Sequence, residues 1–228
     1  MSLWTTGFCI AVTLGAYLLS RLVARRYPSP LTTPVFFSAT LIILVLAQSG
    51  VRMVDYEPAK RIMVFLLGPA TVALAVPLYK NRHTLLRNTL PALLGLGIGS
   101  LATLGAALTL ARVFGLPEII RASISIKSVT APIAIELAPL IHGSPPLTAA
   151  FVIATGMIGT MLGPWLMNAT GIHDPLSRGL ALGTISHGQG TAQAVSEGEL
   201  QGAAAGIAMG LAAVFTSCIA PFVVPMLR

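Results

Sequence analysis

Charge is what this sequence has least of. Only 9% of its 228 residues are Asp, Glu, Lys or Arg, against about a quarter in soluble domains. That scarcity excludes a water-soluble domain of any size, and with it a catalytic ectodomain. Cysteine is nearly absent: Cys9 and Cys218 both lie in apolar runs, so no disulfide framework is implied. His83, His142, His173 and His187 are scattered without metal-ligand spacing. No HExxH motif, phosphate-binding P-loop or pair of aspartates at protease spacing is present, so neither a metal nor another cofactor is expected.

What is there is apolar. Hydrophobic residues make up 55% of the chain and the mean hydropathy is +0.84. A spanning helix needs about 20 apolar residues. The runs Thr5–Ala24, Pro34–Gly50, Ile62–Tyr79, Leu90–Val113, Ala122–Ile141, Leu147–Asn168, Leu176–Val195 and Gln201–Leu227 predict an all-α polytopic membrane protein with seven or eight inserted segments in one membrane domain. The first run turns basic only at its end, the reverse of a cleavable signal, so it reads as a retained span with its N-terminus outside.

The net charge of +7 would suggest nucleic acid in a soluble protein. Here the basic residues flank apolar runs, with Arg21, Arg25 and Arg26 after one and Lys80, Arg82 and Arg87 after another. That is the positive-inside bias of a cytoplasmic membrane protein, and nucleic acid is not supported as a partner.

Three segments are interrupted. Gly68, Pro69 and Pro77 punctuate the third; Lys127, Pro132 and Glu136 the fifth; Gly183 and Gly190, with polar neighbours, the seventh. Broken backbone at membrane depth persists only where protein or a water-filled cavity receives the freed groups. If the fifth segment crosses, Arg178 and Arg228 fall outside and Glu197 and Glu199 inside. If it re-enters, both arginines fall inside and both glutamates outside, which the positive-inside rule favours. The second scheme makes segments two to four and six to eight an inverted repeat, over residues 31–114 and 145–228, as many secondary transporters have.

Two constellations carry chemistry. In the fifth segment, Lys127 offers a cationic contact, Ser128 and Thr130 offer hydroxyls, and Pro132 opens the backbone. The bland alternative for Lys127 is that its stem snorkels to the interface. In the seventh, Ser186, His187, Gln189, Gly190 and Thr191 follow Gly183 in a stretch too glycine-rich for a good helix. Free N–H groups at a broken helix end suit a carboxylate, and an imidazole can donate to an anion or carry a proton. Glu136 and His187 are the candidates for proton coupling. Lys127-Ser128 and Ser186-His187 are not set up as nucleophile–base pairs, because neighbours on a helix point about 100° apart. An enzyme is not expected.

These stretches resemble the LrgB/CidB family of bacterial membrane proteins. Lys127 through Ala134 is similar to its Lys-Ser-Val-Thr-Thr-Pro-Ile-Ala run, and Gly183 through Thr191 to its Gly-Thr-x-Ser-His-x-x-Gly-Thr run. Pro69 through Tyr79 looks like its Pro-x-x-Val-Ala-Leu-Ala-x-Pro-Leu-Tyr run. Ala131 replaces the second threonine of the first run, and Gln193 stands where many members carry arginine.

The resemblance implies a multi-pass protein of the bacterial cytoplasmic (inner) membrane and two functions of different class. One is transport of small monocarboxylates such as glycolate, glycerate, lactate or pyruvate, since plastid relatives move glycolate and glycerate. The other is a holin/antiholin-like role, modulating murein hydrolase activity and lysis with a small LrgA/CidA-type membrane partner. The residues themselves favour proton-coupled transport by a homo-oligomer. On that reading Lys127, Ser128 and Thr130 face Ser186, His187, Gln189 and Thr191 across a cavity near mid-membrane.

Overall fold

A computed structural model describes residues 3–73 and 75–226. Leu74, Leu227 and Arg228, which enter the third and eighth segments and the charge count above, lie outside the described residues. Every regular element among the described residues is a helix, and four are long and apolar enough to cross a membrane: Trp4–Arg26, Thr89–Val113, Pro145–Ala169 and Glu199–Val224. The protein is an all-α polytopic membrane protein. It divides between Ala75 and Val76 into two compact units.

The first unit holds α1 (Leu3–Arg26), α2 (Pro34–Ser49) and α3 (Met53–Ala73). Cys9, Ala16 and Ser20 are buried at helical spacing on α1, so small side chains let its neighbours come close. Thr13 Oγ1 on the same helix lies 3.0 Å from the Tyr56 hydroxyl on α3. Pro34 starts α2, where its missing N–H costs nothing, and Gly50 ends it at φ 67°. The third segment does not break at Gly68 or Pro69: both lie inside α3. Pro77 likewise lies within a helix, α4 (Ala75–Lys80). A spanning helix tolerates such residues when local adjustment re-satisfies the freed backbone groups.

The second unit continues with α5 (Arg82–Arg87), α6 (Thr89–Val113), α7 (Glu118–Ser125), α8 (Ala131–Leu137), α9 (Pro145–Ala169), α10 (Pro175–Glu197) and α11 (Glu199–Met226). A 3-10 turn, Ala138–Ile141, joins α8 to the approach of α9. Helices α6 and α11 run parallel: Leu96 packs with Ala208 and Ala212, and further on Leu104 and Leu108 share a cluster with Ala220 and Val224. Helix α9 runs against them, its late residue Met167 clustering with Ala205 early in α11. Lys80 Nζ lies 3.1 Å from Glu199 Oε1, which puts the start of α11 at the end of the unit where α6 begins. We call this the basal end, and the end where α6 finishes and α9 starts the apical end.

The fifth segment is discontinuous and re-entrant. Helix α7 goes in, residues 126–130 turn, and α8 with its 3-10 extension comes back. The Ser144 N–H donates to Ser123 Oγ at 2.8 Å across 21 residues, which closes the neck of this apical hairpin.

The seventh segment also returns, where a crossing was expected. Arg178 Nε donates to Glu197 Oε2 at 2.8 Å. A straight helix would hold residues 19 apart at about 28 Å, so α10 is folded double. Its arms are 175–186 and 188–197, and the one residue with non-helical torsions between them is His187 (φ 43°, ψ −129°). This basal hairpin corrects the charge count. Arg178, Glu197 and Glu199 sit together at the basal end rather than being separated by a crossing. Residues 118–169 and 175–226 thus form two hairpin-plus-span pairs that run in opposite directions.

Candidate functional site

The basal hairpin is built from small residues. A Cβ on Gly190 would run into the Leu182 carbonyl and lie 2.7 Å from Ser186 Cβ, so glycine lets the two arms touch. Gly183 and Gly179 do the same against α11, at Ala205 and Gln201. The break expected at Gly183 is therefore not there. Gly183 is helical and buried, and its lack of a side chain serves close packing. His187 takes the break instead. A non-glycine residue at positive φ in a sparsely populated region costs about 1–3 kcal/mol and clusters at functional sites.

Several contacts hold the strained tip. His187 Nε2 lies 3.0 Å from the Val152 carbonyl on α9; a carbonyl only accepts, so Nε2 carries the hydrogen. The Thr191 hydroxyl donates to the His187 carbonyl at 2.9 Å, satisfying an acceptor at the break. That commits Thr191 to the backbone, away from any solute. The tip presses on a glycine row of α9. A Cβ on Gly156 would lie 2.6 Å from Gln189 Oε1 and 2.8 Å from His187 Cε1, and one on Gly159 would overlap Ser186 Oγ.

The tip of the apical hairpin belongs to a buried cluster that includes Val152 of α9. Ile126 and Val129 are fully buried and cluster with Val152, the residue whose carbonyl receives His187. Between them Lys127 and Ser128 are half-buried, with Lys127 Nζ donating to Ser128 Oγ at 3.3 Å. Among the described residues no carboxylate pairs with Lys127. Thr130 is the residue before α8, and Pro132 lies in the first turn of that helix, restarting it after the turn.

The structure puts the expected groups on two hairpin tips: Lys127, Ser128 and Thr130 on one, Ser186, His187 and Gln189 on the other, with Val152 in the buried cluster of the first and at the ring of His187 in the second. No direct hydrogen bond joins the two tips among the described residues. Glu136 is elsewhere. It is exposed on α8, away from the tip contacts.

Sequence reasoning missed the neck of the basal hairpin. Arg178, 8% exposed, donates to Glu197, to Asn168 Oδ1 at 2.7 Å and to the Ile172 carbonyl at 3.0 Å. The signal available was an arginine and a glutamate at opposite ends of one apolar run, a pattern that only a folded-back segment can pair.

The chain matches the model of the LrgB-like family over residues 13–226. It is 36% identical to the uncharacterized protein YxaC of Bacillus subtilis, over 95% of this chain and 96% of that one. It is 30% identical to the antiholin-like protein LrgB of Bacillus mycoides, over 99% of each. It is 29% identical to the holin-like protein CidB of Staphylococcus epidermidis, over 94% of each. No solved structure matches. With its family model covering nearly the whole chain and both hairpin tips at the quoted motifs, the protein belongs to the LrgB-like family.

Proposed function

We propose that the protein transports small monocarboxylates, such as glycolate, glycerate, lactate or pyruvate, across the bacterial cytoplasmic membrane with a cation as the coupling ion. One observation carries this reading. Two broken hairpins enter the second unit from opposite ends; the tip residues Ile126 and Val129 of one share a buried cluster with Val152 of α9, whose carbonyl lies 3.0 Å from His187 Nε2 of the other. Transporters place discontinuous helices near mid-membrane because half-helix N-termini receive anionic groups and unwound carbonyls receive the coupling ion. Lys127 supplies the positive charge, Ser128, Thr130 and Ser186 supply hydroxyls, and His187 and Gln189 supply further polar contacts. Glu136, exposed on α8, is less suited to carrying a coupling proton than the groups at the tips. More basic residues of this unit fall at the basal end, with Lys80, Arg82, Arg87 and Arg178, than at the apical end, with Arg112 and Arg121. That favours a cytoplasmic basal end.

A second reading rests on the relatives' names, holin-like CidB and antiholin-like LrgB. They favour a role in controlling lysis together with an LrgA/CidA-type membrane partner. A pore-forming or pore-restraining assembly needs associating spans. It has no need of strained, glycine-fitted tips inside one unit.

Uptake of labelled glycolate, lactate and pyruvate into proteoliposomes, beside release of an entrapped dye, separates the two. Saturable carboxylate uptake without dye release, lost in Lys127→Ala and His187→Ala, supports transport. Dye release on assembly, with no carboxylate flux, supports the holin-like reading. A homo-oligomer is part of the proposal and is measured on the same preparation by light scattering.

A further inference from the structure

Resting on the transport reading, we propose that the tip of the basal hairpin holds a sodium ion beside the carboxylate, so that the coupling ion is Na+ and not a proton. The break at His187 ends one helical arm and begins another at the same point. The last carbonyls of the first arm and the first N–H groups of the second therefore lack partners within a helix. Buried backbone groups of both kinds must be satisfied. A carboxylate answers the N–H groups alone. Thr191 answers the His187 carbonyl, and a cation can answer the carbonyls that precede it.

Side-chain oxygens join them. Ser186 is 1% exposed, and its hydroxyl makes no hydrogen bond among the described residues. Gln189 Oε1 is buried without a partner. Both face the glycine row of α9, Ser186 at Gly159 and Gln189 at Gly156, positions that are neighbours on one helical face. This is an all-oxygen, uncharged set of acceptors, the chemistry that suits a hard cation. No carboxylate belongs to the tip, which favours a monovalent ion over a divalent one. The groups that could carry a proton are poorly placed instead. His187 commits its Nε2 hydrogen to the Val152 carbonyl, and Glu136 is exposed on the other hairpin. Binding Na+ with one carboxylate leaves the net charge of the tip unchanged, which lowers the cost of holding either ion in an apolar interior.

The test begins without substrate. Thermal unfolding of the purified protein in detergent is followed at one pH and ionic strength in sodium, potassium or N-methylglucamine chloride. A saturable rise of the midpoint in sodium alone is expected. In Gln189→Ala the half-saturating sodium concentration rises about tenfold, the loss of roughly one ligand's contribution. Ser186→Ala shifts it in the same direction, and Ser196→Ala, at an exposed position of the second arm, leaves it in place. Glycolate uptake into proteoliposomes then follows a sodium gradient at equal pH. Identical unfolding in sodium and potassium, or uptake driven equally by a pH gradient in N-methylglucamine, overturns the proposal. If sodium stabilises saturably but no gradient moves any carboxylate, the cation site stands and the transport reading falls.

Discussion

Replacing Arg178 by alanine removes the group that ties the neck of the basal hairpin, and the cost can be worked out from its contacts. The guanidinium donates to Glu197, Asn168 and the Ile172 carbonyl, and the ion-pair side chains are 10% and 15% exposed. Glu197 Oε1 has no partner of its own, so losing Arg178 leaves a buried carboxylate with nothing to answer it. Removing one member of a buried pair costs about 3–5 kcal/mol. In a chain of this length each kcal/mol moves the unfolding midpoint by about 2–4 °C, so Arg178→Ala should lower it by about 6–20 °C. Glu197→Ala should cost less, because Arg178 keeps two neutral acceptors. The double variant should fall well short of the sum, since once the arginine is gone the carboxylate is better absent. The measurement is a double-mutant cycle on unfolding in detergent. Additivity within about 0.5 kcal/mol would show that the two side chains do not meet, and the folded-back course of α10 would be refuted.

Other expectations follow from the same geometry. In a variant lacking Cys9 and Cys218, Ser123→Cys with Ser144→Cys should form a disulfide on mild oxidation, read as protection from a thiol reagent, because the Ser144 N–H reaches the Ser123 hydroxyl at 2.8 Å. Gly159→Ala should destabilise by about 1–3 kcal/mol through overpacking on Ser186, and Ser186→Ala should restore part of that loss in the double variant. His187→Gly should retain or raise the unfolding midpoint, since glycine adopts the positive φ freely, while carboxylate uptake is lost with the imidazole. Asp174 caps α10 outside the membrane, and hydrogen bonds from the Ser177 hydroxyl and then its N–H hold its carboxyl below the ordinary value. A depressed folded-state pKa gives stability that is present above the unfolded value, near 3.9, and is lost as pH falls through the folded one. Unfolding midpoints of wild type and Asp174→Ala should thus differ, by about 1 kcal/mol in stability, at pH 6 and converge as the pH falls below the depressed folded-state value.

The spans were legible because a bilayer imposes length and hydropathy on the sequence itself. The expected run Leu90–Val113 is helix Thr89–Val113, and Leu147–Asn168 is Pro145–Ala169. The break in the fifth segment was legible too, since a lysine, hydroxyls and a proline within one apolar run are costly in lipid unless the chain turns and protein or water receives them. The course of α10 was not. Its hydropathy resembles that of a crossing, and what folds it back is a set of contacts between residues far apart in sequence: Arg178 with Glu197, and Gly190 with Leu182. Glycines marked the region correctly and the position wrongly. Gly183 and Gly190 permit close approach, while the positive φ falls on a histidine, which no propensity argument would choose.

That histidine is the strongest pointer to function in the fold. If the bend served only to turn the chain, glycine at 187 would do it without strain, and Gly188 beside it could have been placed there. The histidine keeps an unfavourable backbone and is bound by its ring to the α9 backbone, while Thr191 caps the carbonyl it frees. Strain of about 1–3 kcal/mol is thus set against local hydrogen bonds that hold one ring in one orientation. The benefit of that arrangement lies in where the imidazole and its neighbours Ser186 and Gln189 are placed, against the Gly156 and Gly159 row of α9. A lysis-controlling assembly of spans gives no reason to retain such a residue. On the transport reading proposed above, it places a polar contact for the solute.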